Sequence, residues 1–293
     1  MHFTTTMISF SEAFQIVLDN NVLTSGEEVP LNEACGRVLF QDVHSDMDMP
    51  PFDKSAVDGF ACRRQDIQNK LIVIETIAAG KAPEKALGVN QCSKIMTGAM
   101  LPPGADCVLM VEDTQVICEK MVKLLKEATA NNICYRAEDV KKGTLVLSKG
   151  TLLGPEHIAV LASVGCHSPM VSCKPKVGII STGDELVEPS EIPHISQIRN
   201  SNSWQLLAQV QQMNAIANYA GIAKDNEEAT LNKILEALEQ NDVVLLTGGV
   251  SLGDFDMVPD MMTKAGIKIL FRSIAIQPGK PTVFGRKGNK FCF

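Results

Sequence analysis

DVVLLTGGVSLGDFD, residues 242–256, joins an apolar run to a glycine-rich turn that carries two acids. Val243–Leu246 shows no polar alternation, as expected for a strand that is buried on both faces of a parallel sheet. Before it, Asn226–Gln240 predicts a helix whose leucines and isoleucine form one stripe. After it, Pro259–Ala265 predicts a second helix. The alternation of strand and helix predicts an α/β domain.

The same alternation extends outward from this stretch in both directions. Lys176–Ser181 predicts a strand, Trp204–Met213 a helix, Asn214–Gly221 a strand and Ile267–Phe271 an extended segment. We therefore predict a three-layer α/β/α domain over residues 174–293 with a mostly parallel sheet.

The first half of the chain has a different sequence pattern, in which short β-like runs predominate. Residues 9–23 predict an amphipathic helix with Phe10, Phe14, Val17 and Leu18 on one face, preceded by the capping-box spacing of Ser9 and Glu12. From about residue 40 to 150, short β-like runs alternate with turn residues, which predicts a small β-domain. Those runs include Leu71–Ile74, Cys107–Val111, Met121–Leu125 and Thr144–Leu147. Pro155–Val164 predicts a further short helix that ends before Gly165.

Composition excludes several classes of protein. The chain has 293 residues, 45% of them hydrophobic, and a net charge of −7, which argues against a general nucleic-acid or membrane-surface binder. Its nine cysteines are scattered without a Cys-x-x-Cys pair, as expected for reduced thiols. We see neither a signal peptide nor an apolar stretch of about 18 residues, so we predict a cytoplasmic protein.

Two predicted strands end in chemically unusual residues. Ser181-Thr182-Gly183-Asp184-Glu185-Leu186 follows the first strand and combines a tight turn with two carboxylates. Taken alone, this segment is equally compatible with a functional role and with a simple helix or turn cap. In open α/β sheets, however, ligands bind beyond the carboxyl ends of the strands.

The second strand end is Thr247-Gly248-Gly249-Val250-Ser251-Leu252-Gly253-Asp254-Phe255-Asp256. Glycines allow a ligand to approach the backbone, whose successive amides can bind an anion. Gly248 and Gly253 have the spacing of a P-loop, but Asp254 stands where a P-loop has lysine. Because a carboxylate repels phosphate, we predict that Asp254 or Asp256 holds Mg²⁺, which would bridge to phosphate oxygens.

Three further segments are ambiguous when each is taken alone. Gln277-Pro278-Gly279-Lys280-Pro281 holds a lysine in a stiff turn, where it can face an anion or simply be solvated. Pro50–Ala61 ends in an Asp-Gly turn, and Met96–Asp106 is rich in glycine and proline. Both are compatible with structural corners.

Taken in order, these segments resemble one family. Its motifs correspond to Pro50–Ala61, Met96–Asp106, Gly150–Gly165, Ser181–Leu186, Gly248–Asp256 and Pro278–Gly285. The family is that of MoeA and the gephyrin E-domain, the molybdopterin molybdenumtransferases. The resemblance runs from the first helix to the last residue. It implies that residues 1–40 and 140–173 form a helical linker domain, 41–139 the β-domain, and 174–293 the MogA-like molybdopterin-binding domain.

The resemblance also implies an activity and its site. The family inserts molybdate into adenylylated molybdopterin and releases AMP with the help of Mg²⁺, as a homodimer whose β-domain lies over the partner's active site. Asp58 and Thr97 would come from the partner subunit, while Glu185, Asp254 and Asp256 would serve metal binding and nucleotide hydrolysis. Lys280 would bind molybdate or phosphate, and molybdopterin adenylyltransferase would be the upstream partner. The remaining cofactor-binding residues would be Ser181, Thr182, Gly183, Asp184, Gly248, Gly249, Ser251 and Gly253.

Several points stay open from the sequence. Asp225 aligns with a family acid, but its spacing to Glu228 equally predicts a capping box. Ala137 stands where the family usually has glycine. The resemblance predicts a C-terminal truncation at Phe293, which would leave the sheet around Ile267–Phe271 and Thr282–Phe284 partly uncovered. Two alternative functions are a scaffold on the same fold and a CinA-like hydrolase of nucleotide pyrophosphates.

Overall fold

The computed structural model describes residues 7–249 and 257–293, which form two compact units. The α/β unit comprises residues 7–29, 33–40, 170–249 and 257–293. The β unit comprises residues 30–32 and 41–169. This multidomain α/β plus β organisation agrees with the predicted fold class, whereas the finer division into three domains stays a prediction.

The helices and strands follow one another with short connections. The helices are α1 (Phe10–Asp19), α2 (Leu31–Ala34), α3 (Pro155–Ser163), α4 (Asn202–Gln212), α5 (Glu227–Gln240) and α6 (Val258–Lys264). Strands of the first half are β1 (Gly26–Glu28), β2 (Val43–His44), β3 (Lys54–Ser55), β4 (Gly59–Cys62), β5 (Leu71–Ile77), β6 (Gln91–Ile95), β7 (Cys107–Met110), β8 (Thr114–Cys118), β9 (Met121–Leu124), β10 (Ile133–Cys134) and β11 (Leu145–Leu147). Those of the second half are β12 (Met170–Ser172), β13 (Lys176–Thr182), β14 (Leu186–Val187), β15 (Ile198–Arg199), β16 (Ile216–Ala223), β17 (Val243–Thr247), β18 (Lys268–Phe271), β19 (Phe284–Lys287) and β20 (Lys290–Cys292).

A six-stranded sheet organises the α/β unit. Its strand order is β16-β13-β17-β20-β19-β18, and β16, β13, β17 and β20 are parallel. β19 is antiparallel to both of its neighbours, so that β18 again runs in the direction of β17. The mostly parallel sheet confirms the prediction, although the β19–β20 hairpin is not among the predicted elements. Residues 284–292 supply few apolar positions, and their short strands give a weak sequence signal.

Helices cover the sheet on both faces and make three layers. On one face, α5 and α6 pack against Ile180, Val244 and Cys292. On the other, α4 packs through Val210 against Val177 and Ile179. Since successive side chains of a strand point to opposite faces, the unbroken apolar runs of β13 and β17 provide the side chains against which the helices of both faces pack.

α1 also belongs to this second face, which corrects its predicted orientation. The capping box of Ser9 and Glu12 forms as predicted, and the helix ends at Asp19, earlier than predicted. Its buried residue, however, is Ala13, which packs with Phe271 and Phe284. Of the four residues predicted to share the packed face, Phe10, Phe14 and Leu18 are exposed, and Val17 alone packs against this cluster. The packed stripe is instead that of Ala13, Ile16 and Val17.

The sheet is covered on both faces around β18 and β19. Phe284 lies at the centre of a cluster in which its ring centroid is 4.5 Å from that of Phe293 and 5.5 Å from that of Phe271. Ile267 and Val283 are buried on the opposite face beside α6. The prediction that this part of the sheet lies partly uncovered is therefore wrong. Burial of a side chain such as Phe284 contributes about 1.5–3 kcal/mol to folding.

The β unit contains a second six-stranded sheet, in the order β7-β4-β6-β5-β9-β8. Strand β4, second in this order, is buried along its whole length and pairs with β6 and β7. Gly59 begins this strand, and a Cβ there would lie 1.8 Å from the carbonyl oxygen of Leu109. Only glycine allows the two strands to approach so closely.

Ala137 occupies a backbone conformation that favours glycine. Its φ is +60°, in the left-handed region, and its N–H donates to the carbonyl of Pro50 over 2.9 Å. An L-residue there costs roughly 1–2 kcal/mol. The substitution of the family's glycine is thus strained rather than neutral.

Two further features concern the cysteines and the length of the helices. All nine cysteines are free thiols, and Cys62, Cys92, Cys107 and Cys292 are buried in the cores as small apolar residues. Within residues 7–249 and 257–293, no helix is both long enough and apolar enough to cross a membrane.

Candidate active site

The candidate site lies where the parallel strands of the α/β unit end. β13 and β17 are neighbours in register, which pairs Ser181 with Thr247. β16 ends at Ala223 on the other side of β13. β18 points the same way, so the segment that leads to Lys280 also starts from this edge. The two motifs predicted to bind a ligand are therefore adjacent.

Hydroxyl groups connect these strand ends below the surface. Ser181 is fully buried, and its Oγ lies 2.6 Å from Ser203 Oγ and 2.9 Å from Thr247 Oγ1. It also donates to Asn200 Oδ1 over 3.1 Å. The hydroxyl group of Ser181 on β13 thus holds three side chains, from β17, from α4 and from the residue after β15.

The network continues away from the strand ends through a tyrosine. Asn200 Nδ2 donates to the hydroxyl of Tyr219 over 2.9 Å, and that hydroxyl donates to Glu188 Oε1 over 2.7 Å. Burial, and then the hydrogen bond to Glu188, raise the pKa of Tyr219 to about 12. Tyr219 therefore stays protonated at neutral pH and remains a donor to Glu188.

Glycine is favoured at the first turn, where Gly183 has a φ of +145°, and it is required at the second turn by the close packing of the two strand ends. Gly248 has a φ of +94°, and a Cβ there would lie 2.4 Å from the carbonyl oxygen of Thr182. At Gly249 a Cβ would come within 2.8 Å of Val258. The Cβ of a residue replacing Gly183 would meet the carboxylate of Glu185 at 2.5 Å. These turns leave backbone rather than side chains at the edge, as a ligand-binding loop needs.

Carboxylates stand beside the first turn. Asp184 and Asp225 are tied reciprocally, since the N–H of each donates to the carboxylate of the other over 3.2 Å. Helix α5 is capped by Asn226, whose Oδ1 accepts from the N–H of Ala229, so the capping box predicted for Asp225 is wrong. Asp184 and Glu185 are exposed. Asp225 is therefore a member of the acidic edge rather than a helix cap.

Lys280 is exposed in a turn whose backbone is well anchored. The carbonyl of Lys280 accepts from the N–H groups of Ile274 and Thr282, both over 3.0 Å. Gly279 has a φ of +107°, and its carbonyl accepts from the hydroxyl of Thr282. The rigid turn predicted from the two prolines is present, and it leaves the side chain of Lys280 at the surface.

Two of the predicted site residues, Asp58 and Thr97, lie in the β unit and are hydrogen-bonded to each other. Asp58 Oδ1 accepts from both the backbone N–H of Thr97 over 2.7 Å and its hydroxyl over 2.9 Å. These two hydrogen bonds, the backbone one first, lower the pKa of Asp58 below its ordinary value. Both residues are exposed. The structure thus brings together two residues that come from distant motifs.

Part of the predicted site lies outside the described residues, namely Ser251, Gly253, Asp254 and Asp256. Among the residues that the structure does describe, no three His, Cys, Asp or Glu side chains are grouped to hold a metal ion. Of the predicted metal ligands, only Glu185 is described, and its carboxylate is exposed. The metal prediction therefore depends on Asp254 and Asp256.

The opposite edge of the sheet carries a groove of about 550 Å³. It is lined by Leu235, Leu238, Glu239 and residues 287–290. Lys290 donates to the carbonyls of Leu238 and Glu239, at the C-terminal end of α5. Because these groups satisfy a helix end, we assign the groove a structural role.

The sequence did not point to Asn200, Ser203, Tyr219 or Glu188. Asn200, Ser203 and Tyr219 are separated from the strand-end motifs by at least one element, Glu188 follows the first motif after one residue, and none belongs to a glycine-rich turn. A weak signal is present in the polar pair Asn200-Ser201 before α4. Only the folded sheet shows that Asn200 contacts Ser181.

Comparison with known proteins adds family evidence to this geometry. Residues 8–165 match the family described as "MoeA N-terminal region (domain I and II)", and residues 178–291 match a "Probable molybdopterin binding domain". The chain belongs to the MoeA family. Members of this family are transferases of molybdenum cofactor biosynthesis, which confirms the predicted enzyme class.

MoeA relatives align with almost the whole chain. The molybdopterin molybdenumtransferases of Staphylococcus epidermidis and Bacillus subtilis are 36% and 38% identical to it, over 98% of this chain and 70% of theirs. A crystal structure of the MoeA protein of Pyrococcus horikoshii is similar, with a TM-score of 0.85 and 32% identity over 98% of this chain and 74% of that one. The match in the N-terminal region favours a MoeA protein over a CinA-like hydrolase.

Proposed function

We propose that this protein inserts molybdate into the dithiolene of adenylylated molybdopterin and releases AMP, in a reaction that needs Mg²⁺. One observation carries the proposal. The strand ends Ser181–Glu185 and Thr247–Gly249 are adjacent in the sheet, with backbone turns that favour or require glycine. Such an edge suits a ligand that combines phosphate groups with a flat ring.

The negative charge at this edge favours a substrate that binds together with a cation. Asp184, Glu185 and Asp225 place three carboxylates around the first turn. An uncompensated phosphate would be repelled there, whereas a cation-bound phosphate would be attracted. When bound, Mg²⁺ would neutralise phosphate charge. Glu185 together with Asp254 and Asp256 would hold it.

The other residues have roles that follow from their chemistry. Backbone N–H groups of the turns at Gly183 and Gly248 would bind phosphate oxygens. Lys280 would supply a fixed positive charge for molybdate. Asp58 and Thr97, in the β unit, would complete the site of a second subunit in a homodimer. The protein would work in the cytoplasm, where molybdopterin adenylyltransferase, its upstream partner, would supply the substrate.

Calorimetry with AMP tests the phosphate and cation parts of this proposal. We expect AMP to bind in the presence of Mg²⁺ and to bind much more weakly without it, because the acidic edge needs a bridging cation. Asp256→Ala should weaken Mg²⁺-dependent binding and leave the thermal unfolding temperature unchanged. AMP binding that is independent of Mg²⁺, or unaffected by Asp256→Ala, would contradict the proposed role of the acids.

A further inference from the structure

The hydroxyl protons at the strand ends have defined directions. Asn200 Oδ1 accepts from the backbone N–H of Ser203 over 3.2 Å, which fixes the orientation of the amide. The same oxygen accepts the hydroxyl of Ser181. A serine hydroxyl has one proton, so the short contacts to Ser203 Oγ and Thr247 Oγ1 must be bonds in which Ser181 accepts.

This direction determines what Thr247 offers to a ligand. Its only hydroxyl proton points to Ser181, and its oxygen keeps free lone pairs. Thr182 likewise directs its hydroxyl inward, to the carbonyl of Thr247 over 3.4 Å. Ser181 and Thr182 are buried, so the half-buried Thr247 is the hydroxyl group that can face a ligand, and it offers an acceptor. Donors for phosphate therefore come from the backbone.

Asn200 is the group on which this arrangement depends. It is 1% exposed, its backbone N–H donates to Val187, and both polar atoms of its side chain are bonded: Oδ1 to Ser181 and Ser203, and Nδ2 to Tyr219. Tyr219 in turn is held by Glu188. A buried amide whose oxygen meets a backbone N–H and whose nitrogen meets an acceptor has one stable orientation.

We propose that Asn200 is a positioning residue of the strand-end site, which acts through Ser181 to orient the hydroxyl of Thr247 as an acceptor. The ligand group opposite Thr247 is then a hydrogen-bond donor, such as a ribose hydroxyl or an amine, or a cation. This inference rests on the proposed function of the same site. It assigns Asn200 no contact with the substrate.

The test measures AMP binding, in the presence of Mg²⁺, by calorimetry and by fluorescence. Trp204 is the only tryptophan of the chain, and its ring centroid is 5.7 Å from that of Tyr219, so its emission reports on this network. Asn200→Leu removes the accepting oxygen and should weaken AMP binding about tenfold or more. Asn200→Asp keeps an accepting oxygen for Ser181 and Ser203 and should stay within about threefold of the unsubstituted protein.

Asn218→Leu is the matched control. Asn218 neighbours Tyr219 on β16, but its amide bonds to Asn241 on the other face of the sheet. This substitution should leave AMP binding unchanged. Thermal unfolding of all variants separates a loss of binding from a loss of folding.

A double-mutant cycle identifies the route of the effect. Thr247→Ser keeps the hydroxyl and should bind AMP normally, while Thr247→Val should lose about as much as Asn200→Leu. If Asn200 acts through Thr247, the double variant Asn200→Leu/Thr247→Val should bind no more weakly than the weaker single variant. Additive losses would overturn the inference.

The remaining outcomes separate this inference from the proposed function. If the unsubstituted protein fails to bind AMP with Mg²⁺, the proposed function falls and the positioning role falls with it. If it binds AMP and Asn200→Leu binds equally well, only the positioning role is overturned. Normal AMP binding by Thr247→Val would show that Thr247 does not face the ligand.

Discussion

Single residues at the candidate site divide into those that hold the backbone and those that present charge. Ser181, Asn200 and Ser203 are buried and bonded to each other, whereas Asp184, Glu185 and Lys280 are exposed. The first group makes the strand ends rigid. The second group remains accessible to a ligand, so substitutions in the two groups should have different consequences.

Lys280→Ala tests the exposed group. We expect the molybdate concentration for half-maximal insertion to rise, because a positive charge facing a dianion is lost, while stability changes by less than about 0.5 kcal/mol. Lys81→Ala, an equally exposed lysine in the β unit, is the control. A large drop in unfolding temperature with unchanged molybdate dependence would make Lys280 structural.

Asp58 gives a prediction on pH. Its pKa is lowered by the hydrogen bonds from Thr97, so its contribution to stability is present above the ordinary carboxyl pKa. That contribution is lost as pH falls through the lowered pKa. NMR titration should show the pKa of Asp58 rising toward its ordinary value in Thr97→Val, although not fully, because the backbone N–H remains.

Thr76→Val, at an exposed position of β5, is the control for this titration. It should leave the pKa of Asp58 lowered. An unchanged pKa in Thr97→Val would show that the hydroxyl of Thr97 does not bond to Asp58 in solution.

At the scale of elements, sequence patterns predicted the α/β unit well and the orientation of α1 poorly. Strands β13 and β17 were predictable because a short, unbroken apolar run between helical patterns is typical of a strand that is buried on both faces. For α1 the largest apolar residues suggested a packed face, but the helix packs on the phenylalanine cluster through Ala13, Ile16 and Val17. Packing partners distant in sequence decide such a case, and periodicity does not contain them.

The same reasoning applies to the candidate site. Its two turns were predictable because glycines, hydroxyl residues and acids follow predicted strands directly. Asn200 and Tyr219 could not be predicted in the same way. Asn200 meets Ser181 because it precedes the start of α4, and Tyr219 meets Asn200 because of the register of β16 with β13.

Ala137, outside the candidate site, shows a further limit of sequence prediction, because its positive φ becomes known only from the structure.

Paired substitutions in α1 test its orientation. Ala13→Asp should destabilise the α/β unit by roughly 2 kcal/mol or more, because it places a charge in the phenylalanine cluster. Phe14→Ser should change the free energy of unfolding far less, since Phe14 is 55% exposed. Urea unfolding followed by Trp204 fluorescence measures both, at a protein concentration low enough to leave the chain monomeric, so that a dimer contact of Phe14 does not contribute. Equal losses would contradict the orientation.

For the whole molecule, the exposed face of α1 bears on the proposed homodimer. Phe10 and Phe14 are stacked with ring centroids 6.1 Å apart, and Leu18 extends the same apolar surface. Large exposed apolar patches are uncommon on stable monomers. Light scattering should therefore show a dimer, and Phe10→Ser/Phe14→Ser should shift it toward monomer. A well-behaved monomer before any substitution would contradict the proposal.

On the proposed function, ligand binds at the carboxyl edge of the α/β sheet. Chemical-shift mapping of the ¹⁵N-labelled protein with AMP and Mg²⁺ locates the binding site residue by residue. We expect shifts at residues 181–185, 225 and 247–249 and at the indole of Trp204. Shifts confined to the opposite groove, at Leu235, Leu238 and residues 287–290, would contradict this location.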